Sequence, residues 1–147
     1  MRILWLEDEP ITIEVVIDKM LKYCPSIEVY ESFSAFSDEL EDLEDKKGMI
    51  LIIDIKMLVN RELRYSCFGD DFLVEKELEA GFEYYFQCIK RRFRSLEVIF
   101  FSSKPSDRAK EDAYIYRVDP KRIISKQDFL ELIEVVKGVS HEYNVSV

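Results

Sequence analysis

The sequence predicts an α/β fold, a doubly wound sheet of five parallel strands with helices on both faces. The first observation is Met49–Ile53, an unbroken apolar run that leads directly into Asp54. Such a run is typical of a central strand that is covered on both faces. The second observation is that a helical pattern follows each strand candidate. This alternation predicts parallel strands joined by right-handed crossovers.

Three of the predicted strands lie in the first half of the chain. Ile3–Leu6 is the first, and Pro10 suits the opening turn of the helix that follows it. Ile27–Tyr30 alternates between apolar and polar residues, as a half-exposed edge strand does. Ser34 is the predicted N-cap of the next helix, which precedes the third strand.

Two further strands lie in the second half of the chain. Leu78–Phe93 is a predicted helix, and Gly81 inside it indicates close packing against a neighbour. Leu96–Phe101 is the fourth strand, and a helix over 105–116 follows it. Arg122–Ser125 is the fifth strand, and the last helix comes directly after it.

The length of 147 residues favours one domain, which we expect to cover residues 1–139. The last helix is predicted to end at Gly138, which leaves 140–147 as a C-terminal tail. No periodicity is sustained between Ile55 and Glu77, so we predict a long loop or irregular insertion around 58–77. Loops of this length in compact domains are usually functional or mobile.

Composition excludes several classes of protein. The net charge of -9, from 30 acidic and 21 basic residues, argues against direct binding of nucleic acid. A small basic cluster is interpreted as a solvated helix end; it consists of Lys90, Arg91, Arg92 and Arg94. Three cysteines without a CxxC spacing argue against a disulfide framework or a thiolate metal site. Neither a signal peptide nor a membrane span is visible, so we expect a cytoplasmic protein.

Polar residues follow four of the predicted strands at the point where each strand ends. Glu7 and Asp8 follow the first strand, Asp54 the third, Ser102 the fourth and Lys126 the fifth. Because the carboxyl ends of parallel strands lie along one edge of the sheet, we expect these side chains to form one site.

The charges in this predicted site call for a cation. Two like charges 4 Å apart cost about 4 kcal/mol at an effective dielectric near 20, and Lys126 offsets only one of three acids. An all-oxygen site with open positions suits Mg²⁺. With Mg²⁺ and Lys126 to neutralise phosphoryl oxygens, Asp54 is equipped to attack a phosphoryl group. The Ser102 hydroxyl is placed to donate a hydrogen bond to that group.

Four motifs in this order resemble the receiver domain of two-component response regulators, including the single-domain chemotaxis regulators. They are Leu6–Pro10, Ile52–Asp54, Ile99–Ser103 and Ile124–Lys126, and the resemblance covers residues 1–137. It implies a flavodoxin-like fold with strand order 2-1-3-4-5. It also implies a domain that signals through altered binding to other proteins.

The resemblance implies a role for each site residue. Asp54 would accept phosphate from a sensor histidine kinase or a phosphotransfer protein. Asp8 and Asp54 would ligate Mg²⁺, with the backbone carbonyl of Lys56 as a third ligand and Glu7 acting mainly through water.

By the same resemblance, Ser102 and Lys126 would sense the phosphoryl group and pass the signal to an unidentified output protein. Ser103 competes with Ser102 for this role. The implied partners include neither nucleic acid nor a membrane, and a homodimer is possible.

Three features depart from the receiver pattern. An insertion around 58–77 would cap the site, gate the kinase or form an interface. Gln127 stands where the family usually has Pro after its Lys. Ile123 stands where a switch aromatic is expected, and Tyr114 and Tyr116 are the candidates to replace it.

Other functions are compatible with parts of this pattern. A receiver-like binding module that is never phosphorylated would share the fold, and the three departures favour it. A phosphohydrolase of the haloacid-dehalogenase type would need a second Asp at the position of Lys56. A flavodoxin-like carrier would need amide donors or hydroxyls where Glu7–Glu9 lie. These acids also suit a helix N-terminus without any metal.

Overall fold

A computed structural model describes the protein over residues 1–43, 48–57, 64–74, 77–94, 96–103 and 106–146. Its strands, in chain order, are β1 (Arg2–Leu6), β2 (Ser26–Tyr30), β3 (Met49–Ile53), β4 (Arg64–Cys67), β5 (Asp70–Leu73), β6 (Glu97–Ser102) and β7 (Ile123–Ser125). Its α-helices are α1 (Glu14–Met20), α2 (Phe33–Asp42), α3 (Ala80–Tyr84), α4 (Ser106–Ala113) and α5 (Phe129–Ser146).

Five strands form one parallel sheet in the order β2-β1-β3-β6-β7. When only these five are counted, the order is the predicted 2-1-3-4-5, and the predicted α/β fold class is confirmed. Every residue of the central strand β3 is buried, as its unbroken apolar run predicts.

Helices cover both faces of this sheet, and successive side chains of each strand pack on opposite faces. On β1, Ile3 and Trp5 join the core formed with α1 and α5. Leu4 and Leu6 join the core formed with α2, α3 and α4. The doubly wound arrangement therefore follows from strands that are apolar on both sides.

Two predicted helix boundaries are wrong. Ser32, not Ser34, caps α2, and its hydroxyl accepts a hydrogen bond from the Ala35 amide at 3.2 Å. The last helix does not end at Gly138 but continues to Ser146, so 140–146 of the predicted tail is helical. A glycine costs a helix interior only about 1 kcal/mol, which packing of the buried residues earlier in α5 offsets.

Part of the predicted insertion is an ordered hairpin rather than a loop. β4 and β5 pair antiparallel in a separate two-stranded sheet. Phe68 (φ 54) and Gly69 (φ 81) connect them with two positive φ angles, as a type I′ turn requires. The sequence hides this turn because Asn or Asp usually takes the position of Phe68. Residues 58–63 and 75–76 of the insertion lie outside the described residues.

The hairpin packs against the main domain through residues in the core with α2, α3 and α4. Cys67 and Phe72 are both buried there. The Phe72 ring contacts the rings of Phe33 and Tyr84, with centroids 5.4 and 5.5 Å apart. The hairpin is therefore part of the folded domain.

Gly81 lets α3 approach the backbone that follows β3. Its amide donates a hydrogen bond to the Ile55 carbonyl at 2.8 Å. A Cβ at this position would lie 1.9 Å from the carbonyl oxygen of Asp54. The close packing predicted at this glycine is confirmed, and its neighbour is the backbone of Asp54.

We predict opposite effects for two Gly→Ala substitutions. Gly81→Ala should lower the free energy of unfolding by about 3 kcal/mol, because the new methyl group overlaps backbone that cannot move aside. Gly138→Ala, in open space on a helix, should raise it by about 0.5–1 kcal/mol. Urea denaturation of both variants measures this. Equal effects would contradict the packing described.

Candidate functional site

The site begins where β1 and β3 end side by side. Leu6 and Ile53, the last residues of these strands, are paired in register. The next residue of each chain is an acid, Glu7 and Asp54, and the Asp54 amide donates to the Leu6 carbonyl at 3.0 Å. Both acids are buried, with 0% and 3% of their surface exposed.

Three carboxylates converge at this edge of the sheet. Glu7, Asp8 and Asp54 each place one oxygen within 4.8 Å of the other two. Asp8 is half-buried, and the other two acids are buried. Within the described ranges, no other group of three acids, histidines or cysteines is arranged to hold a metal ion.

One ammonium group reaches this acidic cluster. Lys126 follows the last residue of β7, and its Nζ lies 2.6 Å from Glu7 Oε1 and 3.5 Å from Asp54 Oδ2. The structure therefore brings together Glu7, Asp8, Asp54 and Lys126. The charge of Lys126 can offset only one of these three acids when all are ionised.

Thr12 also belongs to the site, and the sequence analysis did not identify it. Its hydroxyl lies within hydrogen-bond distance of Glu7 Oε1, at 3.0 Å, and of the Glu9 carbonyl, at 2.8 Å. It also accepts a hydrogen bond from Lys126 Nζ at 3.2 Å. Thr12 sits in a short 3-10 turn after Pro10 rather than at a strand end. The strand-end criterion therefore could not reveal it.

Burial and neighbouring charges shift two pKa values here. Burial, together with the hydrogen bond and charge of Asp54, raises the pKa of Glu7 to about 8, although Lys126 opposes the shift. Burial lowers the pKa of Lys126, but its contacts with Glu7 and Asp54 outweigh this and raise it. At neutral pH Glu7 is therefore largely protonated, because Lys126 cannot neutralise all the acids of the cluster at once.

Two oxygens of the cluster lack any hydrogen-bond donor. Glu7 Oε2 and Asp54 Oδ1 are buried and without a partner among the described residues. Each unsatisfied buried acceptor costs about 1–3 kcal/mol. Oxygen ligands that share a site are what Mg²⁺ requires, so the residues present fit this ion. The predicted Lys56 carbonyl ligand stays a prediction, and the side chain of Lys56 is exposed.

The two candidate serines differ in their surroundings. Ser102, the last residue of β6, is fully buried and pairs in register with Ser125. Ser103 is exposed. Because Ser125 immediately precedes Lys126, Ser102 lies on the site's edge of the sheet. Its role toward a phosphoryl group stays a prediction.

The departures from the receiver pattern have structural counterparts. The Gln127 amide donates a hydrogen bond to Ser125 Oγ at 3.3 Å, which a proline without an N–H could not do. No cis peptide occurs among the described residues. Ile123 is buried in the core. Of the two candidate tyrosines, Tyr114 is exposed, whereas Tyr116 is buried and donates to Glu79 Oε2 at 2.7 Å.

Comparison with solved structures finds the RcsB response regulator of Salmonella. A Salmonella typhimurium RcsB structure concerned with conformational dynamism for DNA interaction aligns with a TM-score of 0.57 and 21% identity. That alignment covers 88% of this chain and 53% of that chain. The fold is that of a response regulator receiver domain.

Two further RcsB structures agree with this receiver fold. RcsB from Salmonella enterica serovar Typhimurium, bound to promoter rprA with the phosphomimetic BeF3⁻, has a TM-score of 0.55 and 22% identity, over 86% of this chain and 60% of that one. Another Salmonella typhimurium RcsB structure has a TM-score of 0.53 and 17% identity, over 97% and 65%. This chain therefore spans 53–65% of the length of these proteins.

Sequence comparisons add nothing to the structural match. No protein-family model matches the chain, and no curated protein matches it. Among the helices that the structure describes, none has the length and apolar character to cross a membrane.

We predict that Asp54→Asn stabilises the metal-free protein by about 1–2 kcal/mol. It removes one of three crowded carboxyls, the one that raises the pKa of Glu7, and its amide supplies a donor beside Glu7 Oε2. Mg²⁺ should stabilise the wild type but not this variant. Urea denaturation in EDTA and in Mg²⁺ measures both effects. The matched control is Asp18→Asn, exposed on α1, which should change stability by less than about 0.5 kcal/mol. A destabilised Asp54→Asn in EDTA would contradict the crowding of the carboxyls.

Proposed function

We propose that this chain is a phosphoacceptor receiver domain in which Asp54 takes a phosphoryl group from a histidine kinase or a phosphotransfer protein. The observation that carries this proposal is the buried carboxylate of Asp54, whose Oδ1 has no donor among the described residues, next to two further acids and Lys126. The receiver fold supports it, and one similar RcsB structure contains a phosphomimetic.

The acids of the site would hold a divalent ion for this reaction. Glu7, Asp8 and Asp54 are the residues that would bind Mg²⁺. When bound, Mg²⁺ neutralises charge on the oxygens of the transferred group. Burial of Glu7 and Asp54 limits access of water to the cluster, which strengthens the electrostatic interactions in it.

Asp54 is the nucleophile of the proposed transfer. One carboxylate oxygen attacks phosphorus, a new O–P bond forms, and the bond between phosphorus and the donor's imidazole nitrogen breaks. The Lys126 ammonium, 3.5 Å from Asp54 Oδ2, stabilises the negative charge on the phosphoryl oxygens. Lys126 would exchange part of its contact with Glu7 for the new group, and Ser102 would donate its hydroxyl.

Signalling follows from this exchange of partners. Movement of Lys126 and Ser102 toward the phosphoryl group would change the surface around α4 and β7, and so change the affinity for an output protein or a second copy. We propose a cytoplasmic signalling role without turnover of a separate substrate.

A binding module that is never phosphorylated is the second candidate. Ile123 at the expected switch position and the additional hairpin β4–β5 favour it. In that case the hairpin and the surrounding surface would bind the partner regardless of Asp54.

Trp5 provides a direct test of metal binding. It is the only tryptophan, it is fully buried, and it lies two residues before Glu7. Titration with Mg²⁺ should change its fluorescence in a saturable way that EDTA reverses. Asp54→Asn should lose most of the response and Asp18→Asn should keep it. A flat titration of the wild type would contradict the proposed Mg²⁺ site.

Phosphorylation is tested by incubation with acetyl phosphate and Mg²⁺, followed by mass spectrometry of the intact protein. We expect one phosphate adduct, none in Asp54→Asn, and at least tenfold slower formation in Lys126→Ala, whose ammonium no longer offsets the charge of the incoming group. Lys19→Ala, on the exposed face of α1, is the matched control and should react as the wild type does.

The outcomes separate the two candidate functions. An adduct that persists in Asp54→Asn would place the phosphate elsewhere and overturn the proposal. No adduct, despite a normal Trp5 response to Mg²⁺, would favour the binding module.

A further inference from the structure

Two cysteines meet where the hairpin packs on the helical segment that follows it. Cys67 is the last residue of β4, and Cys88 lies in the π-helical turn Tyr85–Ile89 that continues α3. Both are thiols, and only 2% and 6% of their surfaces are exposed. They are neighbours, because both line one cavity and the Cys88 side chain lowers the pKa of the Cys67 thiol.

The position of the Cys67 sulfur is fixed by a polar network. Ser37 Oγ donates to Cys67 Sγ at 3.3 Å and lies 2.6 Å from the Tyr84 hydroxyl. The hydrogen bonds from Cys88 and Ser37 lower the pKa of the Cys67 thiol, although burial opposes them. A thiolate at Cys67 is therefore stabilised by donors on two sides.

Other contacts, before and after Cys88 in the chain, also hold the hairpin β4–β5 to the segment that contains Cys88. The Arg92 guanidinium lies 5.0 Å from the centre of the Phe68 ring and donates to the Phe68 carbonyl at 3.3 Å. Gln87 Nε2 donates to the Leu73 carbonyl at 3.2 Å. The separation of the two sulfurs is thus set by contacts that do not involve the sulfurs.

A small oxidant has room to reach the pair. Cys67 and Cys88 both line a cavity of about 290 Å³, whose wall also includes Arg91 and Arg92. Asp71 also lines the cavity, so charges of both signs surround the pair, and the lowered pKa of Cys67 comes from its hydrogen bonds. No third ligand joins the two sulfurs among the described residues, so a metal site does not explain them.

We propose that Cys67 and Cys88 form a redox-active dithiol pair that a peroxide oxidant closes to a disulfide. The Cys67 thiolate attacks the peroxide oxygen, which forms an S–OH group and releases water. The Cys88 thiol then attacks that sulfur, the S–S bond forms and a second water leaves. Overall, the two thiols lose two electrons and two protons, and hydrogen peroxide becomes two molecules of water.

The disulfide would join the hairpin covalently to the segment that α3 begins. α3 carries Gly81, whose amide contacts the backbone beyond Asp54. Oxidation would therefore restrain a helix that contacts the backbone at the end of β3. This inference does not rest on the proposed phosphorylation, because it concerns only the thiols and the elements that carry them.

The test is oxidation of the folded full chain. Treatment with hydrogen peroxide, alkylation of the remaining thiols and non-reducing peptide mapping should show a Cys67–Cys88 linked peptide in monomeric protein. Two of the three thiols should be lost, and the melting temperature should rise, because the cross-link closes the loop between the two cysteines. A reductant should reverse both changes.

Cys24 supplies the matched control. It is buried in the core with α1 and α5, and its thiol contacts the carbonyls of Met1 and Ser26. Cys24→Ala should keep the disulfide and the rise in melting temperature, whereas Cys88→Ala should lose both. If Cys88→Ala does not fold, the peptide map of wild type and Cys24→Ala decides.

Three results would overturn the proposal. They are alkylation of all three thiols after oxidation, a disulfide between two copies of the chain, and oxidation of Cys67 to a sulfinic acid without a link to Cys88.

Discussion

The crowding of buried acids at the ends of β1 and β3, which raises the pKa of Glu7, is the constraint on which the rest of the site depends. Adjacent parallel strands in register place Glu7 beside Asp54, and among the described residues the Lys126 ammonium forms ion pairs with both. Such an arrangement is unfavourable for stability alone, since an apolar pair would pack there without charge repulsion. A cluster of this kind is suited to binding a cation, and to releasing Lys126 to an incoming anion. Because all five strands are parallel, the carboxyl end of β7, and therefore Lys126, lies on the same side of the sheet as the carboxyl ends of β1 and β3.

Backbone atoms as well as side chains position Asp54 and Glu7. Gly81 brings α3 against the carbonyl of Asp54, so the end of β3 is held from the helix side. Thr12 holds Glu7 from the other side through a hydroxyl. Uncharged neighbours thus help to position the acids, in addition to the ammonium of Lys126. This arrangement leaves the balance of charge free to change when a ligand arrives.

The sequence was sufficient for the sheet and for the positions of Glu7, Asp54 and Lys126, because an acid or a lysine that interrupts an apolar run must lie at a strand end. It was insufficient wherever long-range packing decided the outcome. α5 passes through Gly138 because buried residues earlier in the helix outweigh one glycine. The hairpin turn at Phe68 has none of the usual turn residues. Thr12 enters the site through the geometry of a 3-10 turn, which has no signature in hydrophobic periodicity.

The π-helical turn Tyr85–Ile89 has a consequence for how this domain tolerates length changes. The Lys90 amide bonds to the Tyr85 carbonyl, so the turn contains one residue more than an α-helical turn. Each residue of a helix turns the chain by about 100°. A deletion within a regular α-helix rotates everything beyond it by this angle. The wide turn already contains one extra residue, so removing one here would restore α-helical geometry and keep the residues on either side in phase. This turn is therefore the place in the segment where the loss of one residue should be tolerated best.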